Sequence, residues 1–386
     1  MTAHITLPRR LLVGGGALDS IGDLMTELHL HRPIVVTDPY LRDAGALDRI
    51  MLLLRNSGLE ATAFAETVPD PTTESLTPAL DLIAAHRADS IIGLGGGSPM
   101  DTAKALATLA IQGGEVRDHK APAVNHGPAL PVVAIPTTAG SGSEATQFTV
   151  ITDTTTDEKM LCIGPAFLPI AAIVDHELTT TMPPRLTADT GIDALTHAVE
   201  AYVSRRANRF ADSFALDAIT AISTALPAVY ADGSDKAARG DMMLAATRAG
   251  IAFSNSSVTL IHGMSRPIGA HFHVAHGLSN AMLFPEVTAY SLAGATDRYA
   301  DCGRAYGAAR DHDSDEVAAR KFLESVTTLC RDLAVPSPES YGINRTDWEH
   351  KVPLMARQAL ASGSPANNPV IATPEDIEML YGKIFA

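Results

Sequence analysis

The pattern of predicted helices and strands changes near Pro184. Upstream, short β-branched runs alternate with amphipathic segments, and the links between them are short. Such alternation predicts a parallel sheet covered on both faces, because parallel strands need crossovers that helices supply. Downstream, helical patterns dominate to the C-terminus. The sequence therefore predicts two domains, an α/β domain over residues 1–184 and an all-α domain over residues 185–386.

The elements of the first half can be placed from their residue patterns. Predicted strands cover residues 5–13, 33–38, 90–97, 131–138, 148–153, 160–164 and 171–175. Predicted helices cover 17–28 and 46–58, one more from about Thr73, and 99–111. Thr187 or Asp189 is predicted to cap a long helix that opens the second half.

Composition excludes some partners. The 386 residues carry 29 Lys and Arg against 44 Asp and Glu, a net charge of −15, which argues against nucleic-acid and anionic-membrane partners. Three cysteines without a CxxC pair favour a reduced, cytoplasmic location. The N-terminal residues lack the apolar core of a signal peptide, and no apolar run approaches the roughly 20 residues that span a bilayer.

Three polar loops follow predicted strands. GLGGGSPMDTAK (93–104) offers backbone N–H groups and a helix N-terminus to a phosphate, although a tight turn explains many such glycine runs. Thr137, Thr138 and Ser141 in IPTTAGSGSEAT could bond phosphate or ribose, or serve only as turn residues. Asp38 could accept from a ribose diol and repel a 2′-phosphate, or cap a helix. All three loops are expected at the carboxyl edge of one sheet, which favours a dinucleotide, NAD rather than NADP.

Histidines and one aspartate suggest a metal site. In GIDALTHAVE (191–200), Asp193 and His197 are spaced to share a helix face, although an exposed ion pair would look the same. HGMSRPIGAHFHVAHG (262–277) holds four histidines, of which His262 and His276 would complete the set. One carboxylate with three imidazoles suits Fe²⁺ or Zn²⁺.

Four motifs occur in order along nearly the whole chain: GGGSPMDTAK, PTTAGSGSE, GIDALTHAVE and HGM…GAHFHVAHGLSNAMLFP. Together they resemble the motifs of the iron-containing (group III) alcohol dehydrogenase family. The resemblance implies a Rossmann-like NAD-binding domain and a helical metal-binding domain in a dehydroquinate synthase-like architecture, with the active site in the cleft between them. It also implies a homodimer or larger homo-oligomer. The implied metal ligands are Asp193, His197, His262 and His276, and the implied cofactor contacts are Asp38, Gly95, Gly96, Gly97, Ser98, Asp101, Thr137, Thr138 and Lys159.

The chain departs from the family pattern at Arg266, where many members carry a second histidine. Arginine stays protonated and cannot shuttle protons, but it can hold a carboxylate or phosphonate in a bidentate fork. The alternative is a structural arginine paired with a nearby acid. If Arg266 is an anion clamp, the substrate is a semialdehyde or hydroxy acid, and proton relay passes to His271, His273 or water, with His273 preferred. A smaller departure is DHEL (175–178), where the family often has a proline after the aspartate.

The sequence thus predicts an NAD-dependent, metal-dependent alcohol dehydrogenase or aldehyde reductase, with hydride exchange between nicotinamide and a small alcohol or aldehyde held on Fe²⁺, or alternatively Zn²⁺. Two other enzymes fit the same motifs: a hydroxyacid–oxoacid transhydrogenase that keeps its NAD bound, and a metal- and NAD-dependent lyase of the dehydroquinate synthase-like superfold. A non-catalytic metal-binding protein fits them least.

Overall fold

A computed structural model describes residues 2–156 and 158–386 of the chain. Within them the chain separates into two compact units, Ile5–Thr181 and Met182–Ala386, and the first residues of the chain group with the second unit. This division follows Thr181, and the domain boundary at residue 184 stays a prediction.

In the described residues, the first unit holds a six-stranded parallel sheet and a separate two-stranded hairpin. The strands are β1 (Arg10–Val13), β2 (Pro33–Val36), β3 (Thr62–Phe64), β4 (Ser90–Gly95), β5 (Val132–Pro136), β6 (Phe148–Asp153), β7 (Glu158–Ile163) and β8 (Ala171–Val174). The sheet order is β1-β8-β5-β4-β2-β3, and every neighbouring pair is parallel. Strands β6 and β7 pair antiparallel with each other, so two of the predicted strands form the hairpin rather than extend the sheet.

Helices pack on both faces of the parallel sheet, as the alternation predicts. They are α1 (Ile21–Glu27), α2 (Pro39–Asp43), α3 (Ala46–Asn56), α4 (Thr77–His86) and α5 (Gly97–Gln112). Ile34 and Ile91 join one buried cluster with residues of α4 and α5, whereas Val35 and Ile92 join another with residues of α1 and α3. Successive strand residues point to opposite faces, so a fully apolar strand such as β2 supplies both clusters.

The second unit is helical throughout its described residues. Its helices are α6 (Pro184–Val203), α7 (Arg209–Ala231), α8 (Lys236–Ser254), α9 (Leu260–Phe272), α10 (His276–Ser291), α11 (Thr296–Ala305), α12 (Asp315–Asp332), α13 (Pro338–Tyr341), α14 (Arg345–Ala361) and α15 (Pro374–Ile384). Short 3₁₀ helices in the two units cover Ala17–Ser20, Glu74–Leu76, Val116–His119, Ser143–Ala145, Pro165–Phe167, His176–Thr179, Leu292–Gly294 and Ser364–Asn367.

The predicted start of α6 is wrong. The helix begins at Pro184, with Pro183 as its N-cap residue, so Thr187 and Asp189 lie inside it. Proline suits the first helical position because its fixed φ is already helical and it lacks the N–H that would be unsatisfied there. Asp189 pairs instead with Arg185, one turn earlier on the same helix.

Helix α7 is long and apolar enough to cross a bilayer by length and composition alone. Its residues Ala215, Ile219, Ile222 and Leu226 recur at helical spacing and are fully buried. This helix contacts α6 and α8, which cover that face. We therefore assign α7 as a core helix of the second unit.

Candidate metal centre and cofactor loops

Helix α6 presents Asp193 and His197 on one buried face. The two side chains are four residues apart, and each is 5% exposed. Residues at that spacing are neighbours on a helix surface. Glu200 lies on the same face, because the seven residues from Asp193 make nearly two full turns.

Helices α9 and α10 supply the other two histidines, His262 in the first turn of α9 and His276 as the first residue of α10. Gly277 explains how His276 reaches α6. A Cβ atom on Gly277 would lie 2.5 Å from the backbone oxygen of Asp189 and 3.4 Å from Cβ of Asp193. Only glycine therefore allows α10 to approach α6 this closely.

The four side chains form what we call the ligand cluster, Asp193, His197, His262 and His276. Oδ1 of Asp193 lies 3.9 Å from Nδ1 of His197, 3.6 Å from Nε2 of His262 and 3.8 Å from Nε2 of His276. All four candidate ligand atoms lie within 4.8 Å of one another. Three of the side chains are at most 5% exposed, whereas His276 is 45% exposed, so the cluster is open on one side.

The charges in the cluster suit metal binding. Burial raises the pKa of Asp193, but the imidazoles of His197, His276 and His262 lower it more, and the net pKa lies well below the usual range. Burial lowers the pKa of His197 to about 3, against the attraction of Asp193. At neutral pH an anionic carboxylate therefore faces a neutral imidazole, and these are the protonation states in which both groups ligate a metal.

Two further observations fit a cation among these side chains. Nδ1 of His197 is buried and has no hydrogen-bond partner in the described residues. The amide nitrogen of Asn280 donates to Oδ1 of Asp193 at 2.7 Å and lies 3.1 Å from Nε2 of His262. The lone pairs of Asp193 and His262 therefore both face one electropositive NH₂ group. Ligands about 2.0–2.1 Å from a tetrahedral ion would lie about 3.4 Å apart, close to the separations in the cluster.

Sequence reasoning missed Glu200 and Asn280. The Glu200 carboxylate, 1% exposed, accepts from Nδ1 of His262 at 2.6 Å, from the Thr259 N–H at 3.0 Å, from the Thr259 hydroxyl at 2.6 Å and from the Ile261 N–H at 2.7 Å. With Nδ1 donating to Glu200, Nε2 of His262 is left as the ligand atom. Helical spacing from a ligand was the available signal, since Glu200 follows His197 by three residues and Asn280 follows His276 by four.

The three predicted catalytic residues lie on or just after α9. Arg266 is half-buried and lies one turn after His262, on the same helix face. Nε2 of His271 lies 2.7 Å from Oε1 of Gln358 on α14. Because His271 follows His262 by nine residues, or two and a half turns, it lies on the opposite face of α9. His273 is the exposed C-cap residue of α9, with a left-handed φ of 54°. Of the three, only Arg266 shares a face of α9 with a ligand.

The strand order brings the predicted cofactor loops to one edge of the sheet. Strands β2, β4 and β5 are parallel neighbours, so Asp38, Gly95–Gly97 and Thr137–Thr138 all follow carboxyl ends at that edge. Gly96 lies against Thr138, and Gly97 faces Ser141. Contact of these residues with a cofactor stays a prediction.

The turn into α5 depends on a glycine. Gly95 has a φ of 147°, and a Cβ atom there would lie 2.5 Å from Cγ of Pro99. Helix α5 begins two residues later, at Gly97, and its N-terminus is the positive end of the helix dipole. Beside it, Asp38 caps α2 by accepting from the N–H of Leu41 at 2.8 Å, so the capping role weighed for this aspartate is present.

Ser98 and Lys159 are linked through Asp70. Nζ of Lys159 lies 2.7 Å from a carboxylate oxygen of Asp70, and the backbone N–H of Asp70 donates to the Ser98 hydroxyl at 3.3 Å. The structure therefore places Lys159, which sequence spacing alone leaves as a surface charge, close to the start of α5.

Asp101 takes part in a buried network that sequence reasoning missed. Its carboxylate accepts from the N–H of Val150 at 3.1 Å and from the Ser143 hydroxyl at 3.2 Å, and Lys104 donates to that hydroxyl at 2.8 Å and to the Phe148 carbonyl at 2.9 Å. Burial raises the pKa of Asp101 to about 6 and lowers that of Lys104 to about 8. Both side chains fasten α5 to the β6–β7 hairpin and the loop before it.

Comparison with known proteins covers both units. Residues 8–176 match the family model for iron-containing alcohol dehydrogenase, and residues 187–385 match that for the C-terminal part of the Fe-containing alcohol dehydrogenase family. The chain is 34% identical to the NAD-dependent methanol dehydrogenase of Bacillus methanolicus, over 97% of each chain. It is 37% identical to long-chain-alcohol dehydrogenase 1 of Geobacillus thermodenitrificans, over 100% of this chain and 97% of that protein. The crystal structure of a 1,3-propanediol oxidoreductase superposes with a TM-score of 0.95 at 32% identity, over 100% of both chains.

Proposed function

The chain belongs to the iron-containing alcohol dehydrogenase family, and we propose that it moves a hydride between NAD(H) and a small alcohol or aldehyde whose oxygen binds at the ligand cluster. The observation that carries this proposal is the convergence of one carboxylate oxygen and three imidazole nitrogens within 4.8 Å. Membership makes the chain an NAD-dependent alcohol dehydrogenase or aldehyde reductase with an Asp/His metal site. The names of its relatives range from methanol to long-chain alcohols, so the size of the substrate is part of the proposal.

When bound, a divalent ion polarises the substrate oxygen as a Lewis acid, and the nicotinamide supplies or accepts the hydride. Asp193 contributes a negative charge at neutral pH, and His197 contributes a neutral ring. Glu200 fixes His262 with Nδ1 protonated and Nε2 directed into the cluster. The exposed His276 marks the open side at which a substrate oxygen can enter.

For the cofactor, we propose that the turn at Gly95, Gly96, Gly97 and Ser98 and the start of α5 hold the pyrophosphate. The helix dipole and the local N–H groups support this assignment. Thr137, Thr138 and Ser141 would contact phosphate or ribose from the neighbouring loop, and Lys159 and Asp101 complete the proposed set. Asp38 at the end of β2 would face the ribose diol and favour NAD.

His273 is the proposed proton relay, because its side chain is exposed and the residue lies at the C-cap, just beyond the last turn of α9. His271 is the weaker candidate, since its ring already pairs with Gln358. We propose Fe²⁺ as the working ion and Zn²⁺ as the alternative, because the donor set accepts both. A cytoplasmic homodimer or larger homo-oligomer completes the proposal; all three cysteines are free and buried, in keeping with a reducing compartment.

The test uses the full chain reconstituted anaerobically with Fe²⁺ or Zn²⁺. Aldehyde-dependent oxidation of NADH is expected with Fe²⁺ and should disappear after chelation. A separate readout is thermal: ion at about 1,000 times its Kd should stabilise the native state by about 4 kcal/mol. His197→Ala should lose both the activity and the ion-dependent rise in melting temperature. Ion binding without NADH oxidation for any aldehyde would contradict the proposal, and turnover between two substrates without added NAD would instead identify a transhydrogenase.

A further inference from the structure

Arg266 lies one helical turn after the ligand His262, and both residues occupy the same face of α9. The side chain is half-buried, and its Nη1 donates to the Ser364 hydroxyl at 2.9 Å. Ser364 begins the 3₁₀ helix Ser364–Asn367, which contacts α9. Arg266 is therefore held beside the ligand cluster by a neutral acceptor.

The charge of Arg266 has no partner within the described part of the chain. No carboxylate there forms an ion pair with its guanidinium, and the Ser364 hydroxyl is its one hydrogen-bond acceptor. The charge of Glu200 acts to raise the pKa of Arg266, but both oxygens of that carboxylate already accept from four donors, on α9 and on Thr259 just before it. Burial lowers the pKa of Arg266 to about 10, so the group stays cationic at neutral pH.

The buried Arg239 shows what a structural role for an arginine looks like in this unit. Arg239, 2% exposed, also lacks an ion pair in the described residues, but its three nitrogens donate to the Gly233 carbonyl, the Met182 carbonyl and the Thr187 hydroxyl. Its hydrogen-bonding capacity is thus used within the protein. Within the residues that the structure describes, most of the five N–H donors of Arg266 have no acceptor, and their planar arrangement matches a planar or tetrahedral oxyanion.

We infer that Arg266 binds the anionic end of the substrate, so that the enzyme acts on short aldehydes or alcohols that end in a carboxylate or a similar oxyanion. This inference rests on the proposed function. The carbonyl or hydroxyl oxygen sits at the ligand cluster while the oxyanion pairs with Arg266, about one helical turn, roughly 6 Å, along α9. Two fixed ends orient the reacting carbon, and the negative net charge of −15 makes such a local cation necessary for an anionic substrate.

The experiment compares succinic semialdehyde with butyraldehyde, a neutral aldehyde of the same chain length, on Fe²⁺-loaded protein. Wild type should prefer the semialdehyde in kcat/KM by about 100-fold, through a lower KM. Arg266→Gln should remove most of that preference, because kcat/KM should fall far more for the semialdehyde than for butyraldehyde. Arg266→Lys should retain part of the preference. Arg357→Gln, which removes an exposed arginine from α14, should change neither substrate.

A binding measurement separates this inference from the proposed function. Calorimetry with 4-hydroxybutyrate and 1-butanol on metal-loaded protein without NAD needs no turnover. Wild type should bind 4-hydroxybutyrate at least about tenfold more tightly than Arg266→Gln does, while 1-butanol should show no such difference. Two results would overturn the role of Arg266. One is equal affinity of wild type and Arg266→Gln for 4-hydroxybutyrate, and the other is an equal loss of kcat/KM for both aldehydes in Arg266→Gln. Normal binding of 4-hydroxybutyrate, with no hydride transfer between NADH and either aldehyde, would instead contradict the dehydrogenase proposal.

Discussion

The carboxylate of Glu200 lies 2.6 Å from Nδ1 of His262, and both side chains are almost fully buried. One oxygen of Glu200 accepts from His262 and from the N–H of Thr259, and the other accepts from the hydroxyl of Thr259 and the N–H of Ile261. The contact therefore joins α6 to the start of α9 and fixes which ring nitrogen of His262 faces the cluster.

Replacing Glu200 with Gln should weaken metal binding by about 10–100-fold. Each carboxylate oxygen faces a backbone N–H that cannot reorient, so the amide nitrogen of Gln would oppose a donor at either position. Chelator competition measures the affinity, and urea unfolding of the metal-free protein measures the loss of stability. Glu349→Gln, at an exposed position on α14, is the matched control. If Glu200→Gln bound the metal with wild-type affinity, Glu200 would have no role in orienting His262 for metal binding.

Gly277→Ala should separate α10 from α6. The added Cβ would lie 2.5 Å from the backbone oxygen of Asp189, and backbone cannot move aside as a flexible side chain can. We expect a loss of stability of about 1–3 kcal/mol and at least a tenfold loss of metal affinity, because His276 moves with α10. Gly382→Ala on α15 has open space around it and should be neutral or stabilising by up to about 1 kcal/mol. Similar behaviour of the two variants would contradict the close-approach argument.

Two substitutions at Asp38 separate its charge from its capping bond. Asp38→Asn removes the charge and keeps an acceptor for the N–H of Leu41, whereas Asp38→Ala removes both. Both should raise kcat/KM for NADP relative to NAD by about tenfold, equivalent to about 1.4 kcal/mol. Only Asp38→Ala should lose stability, by about 1 kcal/mol. An unchanged NADP/NAD ratio in both variants would leave Asp38 as a cap alone.

Lys104→Met should destabilise the first unit by about 3–5 kcal/mol, because it leaves Asp101 buried without its neighbouring cation. The pKa of Lys104 is lowered from 10.5 to about 8. Between those pH values the unfolded chain holds more protons than the native state, so this lysine makes the free energy of unfolding rise with pH.

The stability gap between wild type and Lys104→Met should accordingly widen from pH 8 towards pH 10.5. Urea unfolding at three pH values measures it, with the exposed Lys383→Met as the control. A gap that stays constant or narrows over that range would show that the Lys104 pKa is not lowered by folding.

Much of the fold and of the candidate ligand cluster could be predicted from sequence because the signals are local. Alternation of strand and helix patterns predicted the parallel sheet, and the four-residue spacing of Asp193 and His197 placed both on one face of α6. The glycine turn before α5 could be predicted for the same reason, because a backbone conformation with positive φ strongly favours glycine.

Only the tertiary structure decided which side chains meet across separate elements. Glu200 and Thr259 are 59 positions apart, and Asp193 and Asn280 are 87 apart, so no period of helix or strand relates them. The separate β6–β7 hairpin depends likewise on pairing partners, which composition does not specify. Local periodicity determines which face a side chain occupies, whereas packing determines what that face meets. The sequence by itself therefore determined the residue types of the candidate ligand cluster. Tertiary packing decided the hydrogen bonds that orient them and, within the described residues, left Arg266 without a carboxylate partner.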